Sequence, residues 1–196
     1  MRPWIFGLVA SFAIAGCSRG TGSEYYPPLK SGSQLRYVGQ YTGTFGAVQR
    51  TEMVTRVEDE ERINDHAYWR VVTVVTGMPD MTPQVTYARF DSAGMHLIDG
   101  AHRAFGEYLD VPFPVAVGTS WIVSRDRDTT LFSAVGIESV ETLAKRFDDC
   151  LKIHFTSWGQ SGAINGDSYR ARGIGEVKVA MHIGNIPFEY TLASEK

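Results

Sequence analysis

Few residues of this chain are spaced for chemistry. The five histidines, His66, His96, His102, His154 and His182, form no HxH or HExxH pattern, so no segment presents two imidazoles to one metal. There is no Ser-x-x-Lys pair and no P-loop. Gly173-Ile174-Gly175 leads into a strand rather than a helix, offers no helix N-terminus to a phosphate, and reads as a bend or bulge. Asp148-Asp149 precede Cys150, but adjacent strand residues point to opposite faces, and nearby carboxylates raise a thiol pKa rather than lower it. Cys150 therefore reads as a core residue. Asp126 and Asp128 lack the Gly and Glu of a calcium loop. No catalytic, cofactor-binding or metal residue is assigned, and no cofactor is expected.

The one sharp motif lies near the start. Arg2 gives a short positive region, Trp4 to Ala15 is apolar apart from Ser11, and Ile14-Ala15-Gly16-Cys17 follows. The apolar stretch has the length of a signal peptide and is too short to span a bilayer as a helix. The tetrapeptide resembles the lipobox of bacterial lipoproteins. That resemblance implies cleavage between Gly16 and Cys17, a diacylglyceryl thioether on Cys17, and acylation of the freed amine. Small residues at 15 and 16 suit an extended chain in a protease cleft, and a thiol is a good nucleophile for alkylation. Ser18 stands where an inner-membrane retention signal would carry Asp, so the resemblance implies the outer membrane, facing the periplasm.

Three segments follow from this reading. Residues 1–16 are a lipoprotein signal peptide. Residues 17–24 are a lipidated tether, its SRGTGSE small and polar, which holds the domain within roughly 15 Å of the membrane. Residues 25–196 are one domain, large enough to bury a core without disulfides or metal. Once Cys17 is acylated, Cys150 has no intramolecular partner. The net charge of −3 and the absence of a basic cluster argue against nucleic acid as a partner. The expected partners are the membrane, through the lipid, and an envelope protein or an apolar ligand.

The elements are strands. LKIHFTSW (151–158) alternates Leu151, Ile153 and Phe155 against Lys152, His154 and Thr156. Residues 186–192 alternate likewise. Val177, Val179 and Met181 alternate against Glu176, Lys178 and Ala180, which places Glu176 on a wet face. AYWRVVTVVT (67–76) is apolar on both faces and reads as central. Gly184-Asn185 marks a tight hairpin, and Asn64-Asp65 a longer turn. SVETLAKRF (139–147) is the one stretch that suggests a turn or two of helix. The expected fold is mainly β: a curved antiparallel sheet, open half-barrel or sandwich, with little helix after the signal peptide.

PLKSGSQLRY (28–37) and PVAVGTSWIV (114–123) echo each other, with Pro, Gly and two apolar residues at matching places. The echo reads as two similar loop-to-strand entries, or alternatively as a duplicated half beginning near Val111. YPPLKSGSQLRY, FPVAVGTSW, FDDCLKIHF and YRARGIGEVK together resemble a family of bacterial exported β-domains labelled TapB-like. This chain departs from it in an extra proline, in Leu35 where tryptophan is usual, and in Ala144-Lys145-Arg146-Phe147 where a glycine usually precedes the phenylalanine. The resemblance implies a curved antiparallel sheet and no activity.

Three functions are weighed. The first is a membrane-anchored binding or scaffolding domain without catalysis. The second is a carrier of a lipid or other apolar ligand, as the LolA/LolB-like carriers are, for which the many aromatics could line a concave face. The third is an envelope enzyme. A hydrophobic cavity above roughly 300 Å³ favours the carrier, and a filled core with an exposed apolar patch favours a protein partner.

Overall fold

Period-two alternation yields strands whose apolar faces must all be covered, and a meander that curls on itself covers them with one another. The structure, a computed structural model, describes residues 23–27, 29–42, 46–78, 81–125, 128–159 and 162–196. The strands are β1 (Gln34–Thr42), β2 (Val48–Ile63), β3 (His66–Thr76), β4 (Gln84–Phe90), β5 (Gly94–Asp99) and β6 (Tyr108–Pro112), followed by β7 (Ser120–Arg125), β8 (Asp128–Glu141), β9 (Arg146–Trp158), β10 (Ile164–Ala171), β11 (Gly175–Ile183) and β12 (Ile186–Glu195). Two short 3-10 turns, Ser23–Tyr25 and Arg103–Phe105, are the helical elements described. Neither is long and apolar enough to cross a membrane.

All twelve strands form one antiparallel sheet in the order β6-β5-β4-β3-β2-β1-β12-β11-β10-β9-β8-β7. Each strand pairs with its sequence neighbours, except at two places. The first and last strands pair with each other, from Leu35↔Glu195 to Tyr41↔Phe188. The sheet's two free edges are β6 and β7, which are consecutive in the chain. The result is a barrel closed everywhere but along a seam between β6 and β7.

Side chains bridge that seam where the backbone does not. Trp121 Nε1 on β7 donates to the Asp110 carbonyl on β6 at 2.9 Å. Arg125 at the far end of β7 pairs with Asp99 on β5 at 2.6 Å and lies over the Tyr108 ring at 4.8 Å. Asp110 is itself the extra residue of a bulge, between Leu109 paired to His96 and Val111 paired to Met95. A bulge bends its strand and disrupts the ladder beside it.

The echo in the sequence becomes two copies of one turn. Gly32 N–H donates to Val57 O and Val57 N–H to Ser33 O, each at 2.9 Å. Gly118 N–H donates to Ala134 O at 2.7 Å and Ala134 N–H to Thr119 O at 2.8 Å. Gly32 (φ 82°) and Gly118 (φ 93°) both hold the left-handed conformation that glycine tolerates best. One turn opens β1 to β6 and the other opens β7 to β12, so the barrel is two six-stranded meanders entered alike.

Three local expectations change. Residues 139–147 are not helical: they end β8, turn over 142–145 and begin β9. Thr142 holds that turn, its Oγ1 donating to Lys145 O at 2.8 Å. Asn64-Asp65 is not a long turn but a two-residue one, both residues at positive φ (47° and 67°), because β2 runs on to Ile63. Such turns match the twist of paired strands. Residues 67–76 fall in β3, between β2 and β4 as expected, but the outward face is only part covered, with Val74 exposed.

Candidate ligand-binding cavity

The inward faces do not fill the barrel. A cavity of about 560 Å³ lies within β1 to β5, walled by Leu35, Met53, Val57, Val71, Ala88, Met95 and Leu97, with Thr55 and Thr86 among them. Its wall reaches the end of the barrel beside Ser33, Gln34, Glu195 and Lys196. A second cavity of about 330 Å³ lies within β6 to β12, walled by Trp121, Phe132, Ile153, Phe155, Ile164, Val179 and Met181. Trp121 and Phe132 stack there, ring centres 5.2 Å apart. Arg170 and Glu176 belong to the walls of both. Spaces of this size, apolar with a few polar groups, are characteristic of small-molecule sites.

The N-terminal segment supplies part of the wall. Tyr25 and Tyr26 are buried in the core with Val111, Val115, Leu151 and Ile153. The β10–β11 turn holds them: Gly173 N–H donates to Glu24 O at 2.6 Å, and Arg172 Nε to the Tyr25 hydroxyl at 3.1 Å. Pro27 lies on Gly175, where a Cβ would come within 2.6 Å of the proline ring. Gly173-Ile174-Gly175 is thus a bend, as expected, with positive φ at both glycines (72° and 93°).

Where the two cavities meet, the interior is polar. Glu176 accepts from Ser168 Oγ at 2.7 Å and from the Tyr190 hydroxyl at 2.6 Å. The Tyr37 hydroxyl donates to the Glu176 carbonyl at 2.9 Å. The Arg170 guanidinium lies over the Tyr26 ring at 4.5 Å, with one terminal nitrogen 3.7 Å from the Glu176 carboxylate. Burial lowers the pKa of Arg170, but Tyr26, Glu176 and Asp110 more than offset it, so the guanidinium stays charged. Burial pushes the Tyr190 and Tyr37 hydroxyls up, with Glu176 adding to both. Burial also raises the Asp110 carboxyl, which Arg170 and Arg125 only partly counter.

Sequence alternation put Glu176 on a wet face. A register shift between Tyr169 and Arg170 on β10, opposite Lys178 and Glu176, turns it inward instead. A bulge leaves period two intact on either side and changes which face it addresses. A short run of alternation therefore carries no sign of it. Arg170 was missed for the same reason: in YRARG, Arg170 and Arg172 alternate about Ala171 and both look like surface. The one available hint was Gly-Ile-Gly, which marks a bend close by.

The other chemistry-bearing residues do not converge. Gly16 and Cys17 lie outside the described residues, as does Asp126. Cys150 is fully buried, its thiol pushed up to about 11, by burial first and then by Asp148 and Asp149. Asp148 pairs instead with Arg146 and Ser139 on the surface. His96 sits between two carboxylates, Nε2 3.0 Å from Asp91 and Nδ1 3.1 Å from Glu107. Opposite ring nitrogens thus serve different acids rather than one point. His154 meets Asp167 at 2.8 Å. Among the described residues no group of three or more His, Cys, Asp or Glu is placed to hold a metal ion.

Two solved structures share this barrel. One, from Bacteroides fragilis, is assigned as an exported protein with a YmcC-like fold; it is 17% identical, with TM-score 0.55 over 87% of this chain and 98% of its own. The other, from Parabacteroides distasonis, is assigned as a lipoprotein; it is 16% identical, with TM-score 0.54 over 88% of this chain and 98% of its own. At this identity the likeness is one of fold. No protein-family model matches the chain, and no curated protein matches it.

Proposed function

We propose that this chain is a lipid-anchored protein of the bacterial envelope whose barrel binds a small apolar or amphiphilic molecule without catalysing a reaction on it. The observation that carries this reading is the cavity of about 560 Å³ with its apolar wall. It exceeds the roughly 300 Å³ that separates a ligand site from packing defects. The cavity therefore favours the carrier over a scaffold with a filled core. The lipobox-like Ile14-Ala15-Gly16-Cys17 supports the anchor, and the segments that resemble TapB-like exported domains suit the same location. The assignment of the two fold relatives as an exported protein and a lipoprotein agrees with it. Ser18 favours the outer membrane, facing the periplasm.

Lipid extraction and mass spectrometry of the protein purified from its native membrane test both halves. The expected result is an acylated mature chain beginning at Cys17, together with a co-purifying apolar molecule. Cys17→Ser should leave the precursor uncleaved and unacylated; a normally processed, acylated product would refute the anchor. A protein that carries no apolar molecule and takes up none would refute the carrier. It would return weight to a protein partner, for which Ile122 and Leu131, paired across the outer face of β7 and β8 and both exposed, are the docking candidates.

A further inference from the structure

The larger cavity has a polar mouth and an inner end that offers a polar group nothing. Its mouth lies where β1 begins and β12 ends, beside Ser33, Gln34, Glu195 and Lys196. Going inward, the wall runs from Leu35 and Thr55, paired across β1 and β2, to Tyr37 and Met53, the next inward pair. Beyond these the barrel is filled. Thr51 is buried and donates to Thr76 O at 2.8 Å. A Cβ on Gly39, its partner on β1, would come within 2.9 Å of the Thr51 methyl and 3.0 Å of Tyr190 Cβ. The polar groups at this inner end are already engaged. Tyr37 donates to the Glu176 carbonyl, Ser168 and Tyr190 donate to the Glu176 carboxylate, and Arg170 and Glu176 balance each other's charge. Arg170 Nε and the Tyr26 hydroxyl have no partner among the described residues, but both are fully buried and so do not open onto the cavity. An amphiphile placed head-inward would lose the hydration of its head and gain no partner for it. Placed tail-inward, it keeps its head in water at the mouth.

The mouth is also where the anchor enters the domain. Pro27 and Leu29 line the cavity together with Gly173 and Ile174, and Gly173 N–H donates to Glu24 O at 2.6 Å. Cys17 lies seven residues before Glu24, a span of at most about 25 Å. A lipid on Cys17 therefore keeps the mouth within that distance of the bilayer. We infer that the cavity takes a hydrocarbon chain of a membrane lipid, drawn tail-first through this mouth, with the head group left outside beside Gln34 and Lys196. This rests on the reading of the barrel as an apolar-ligand binder and of Cys17 as its anchor. A chain that leaves the bilayer for the cavity exchanges one apolar surrounding for another, so the transfer carries little hydrophobic cost or gain. Such a site loads and unloads readily, and it reads the chain rather than the head.

The test uses the full acylated protein in phospholipid nanodiscs doped with a photoreactive lysophosphatidylcholine. The diazirine sits either at the tip of its palmitoyl chain or beside the ester. After irradiation, peptide mapping should place the tip probe on Tyr37 and Met53, and the ester probe on Leu29, Gln34 and Leu35. Palmitate, hexadecanol and hexadecyl phosphocholine should displace the tip label with potencies within about threefold of one another, less than an average net hydrogen bond would give. Met53→Trp, which fills the inner end, should move the tip label out to Leu35 and leave the ester label in place. A reversed or undifferentiated map would overturn the inference. So would a head-group preference beyond that range. Labelling that appears only in Cys17→Ser would also overturn it, by showing the protein's own acyl chain already in the cavity. If Met53→Trp does not fold, the map of the unaltered protein decides. Labelling of no cavity residue by either probe in either protein would instead overturn the carrier reading itself.

Discussion

The barrel closes twice, and by different means. At β1 and β12 a backbone ladder runs from Leu35↔Glu195 to Tyr41↔Phe188, extended by reciprocal hydrogen bonds between Gln34 and Lys196 at 2.9 Å. Behind it lies a core of Tyr37, Val140, Phe147, Cys150, Val177 and Leu192. At β6 and β7, the matching junction of the two meanders, no ladder forms. An indole, a guanidinium and a phenol ring span the gap. The entry turns are the same, so the turns do not explain the difference. The Asp110 bulge and the short β6 do: a five-residue strand bent at its centre cannot hold register with a neighbour. A ladder resists opening at many points, whereas a few side chains can release together. The two free edges also screen each other, which limits edge-to-edge association with other chains.

Leu192→Ala tests the laddered side most severely. Leu192 is fully buried behind β12, and truncation should cost about 2–5 kcal/mol, read as a lower midpoint in urea with one cooperative transition. For a domain stable by about 5–15 kcal/mol this is a large share. Trp121→Phe should cost less, about 1 kcal/mol, since it keeps an aromatic ring against Phe132 and loses only the hydrogen bond to Asp110 O. A Trp121→Phe loss as large as that of Leu192→Ala would erase the contrast between the two closures.

Asp110→Asn isolates the titration at the seam. In the unfolded chain an aspartate titrates near pH 3.9; in the barrel burial raises it. Below the unfolded value both states are protonated and nothing is lost. As pH rises through the window up to the folded value, the folded state holds a proton the unfolded state has released, so stability falls. The substitution should remove that fall, so the stability difference between the asparagine variant and the parent should grow across the weakly acid range. A difference that stays flat with pH would place the Asp110 charge in solvent.

The smallest effect expected is none at all. Cys150 is fully buried, with its thiol pushed up to about 11, so thiol reagents should label it only on global unfolding. Trp121→Phe should accelerate hydrogen exchange at the seam amides of β6 and β7 without accelerating Cys150 labelling beyond its small loss of stability. Labelling that speeds up with seam exchange would show the two closures opening together.

What the sequence made legible was alternation and punctuation. Leu151, Ile153 and Phe155 turn inward as read, Gly184-Asn185 joins β11 to β12, and Cys150 is core. A curved antiparallel sheet followed from those. Bulges were not legible, because the extra residue looks like any other in the alternation. They decide that Glu176 and Asp110 face the interior and that β6 stops short. Nor was the β1–β12 pairing: Leu35 and Glu195 carry nothing that names each other. The 139–147 error came from weighing helix-compatible residues above tertiary pairing, which here continues β8 and β9 to residues 141 and 146. The candidate site was invisible because it consists of an arginine and tyrosines of ordinary types, made unusual only by where the barrel puts them.

The pairing of β1 with β12 also orders events in time. Every other ladder joins sequence neighbours and can begin as soon as its hairpin has been made. The β1–β12 ladder must wait for residues 186–195, the last strand of this sheet to be made. Until then β1 lies as an open edge, and the largest loop closure of the fold is still ahead. A chain stopped short of Ile186 would keep that edge permanently, with an aggregation hazard that a chain carrying β12 faces only briefly.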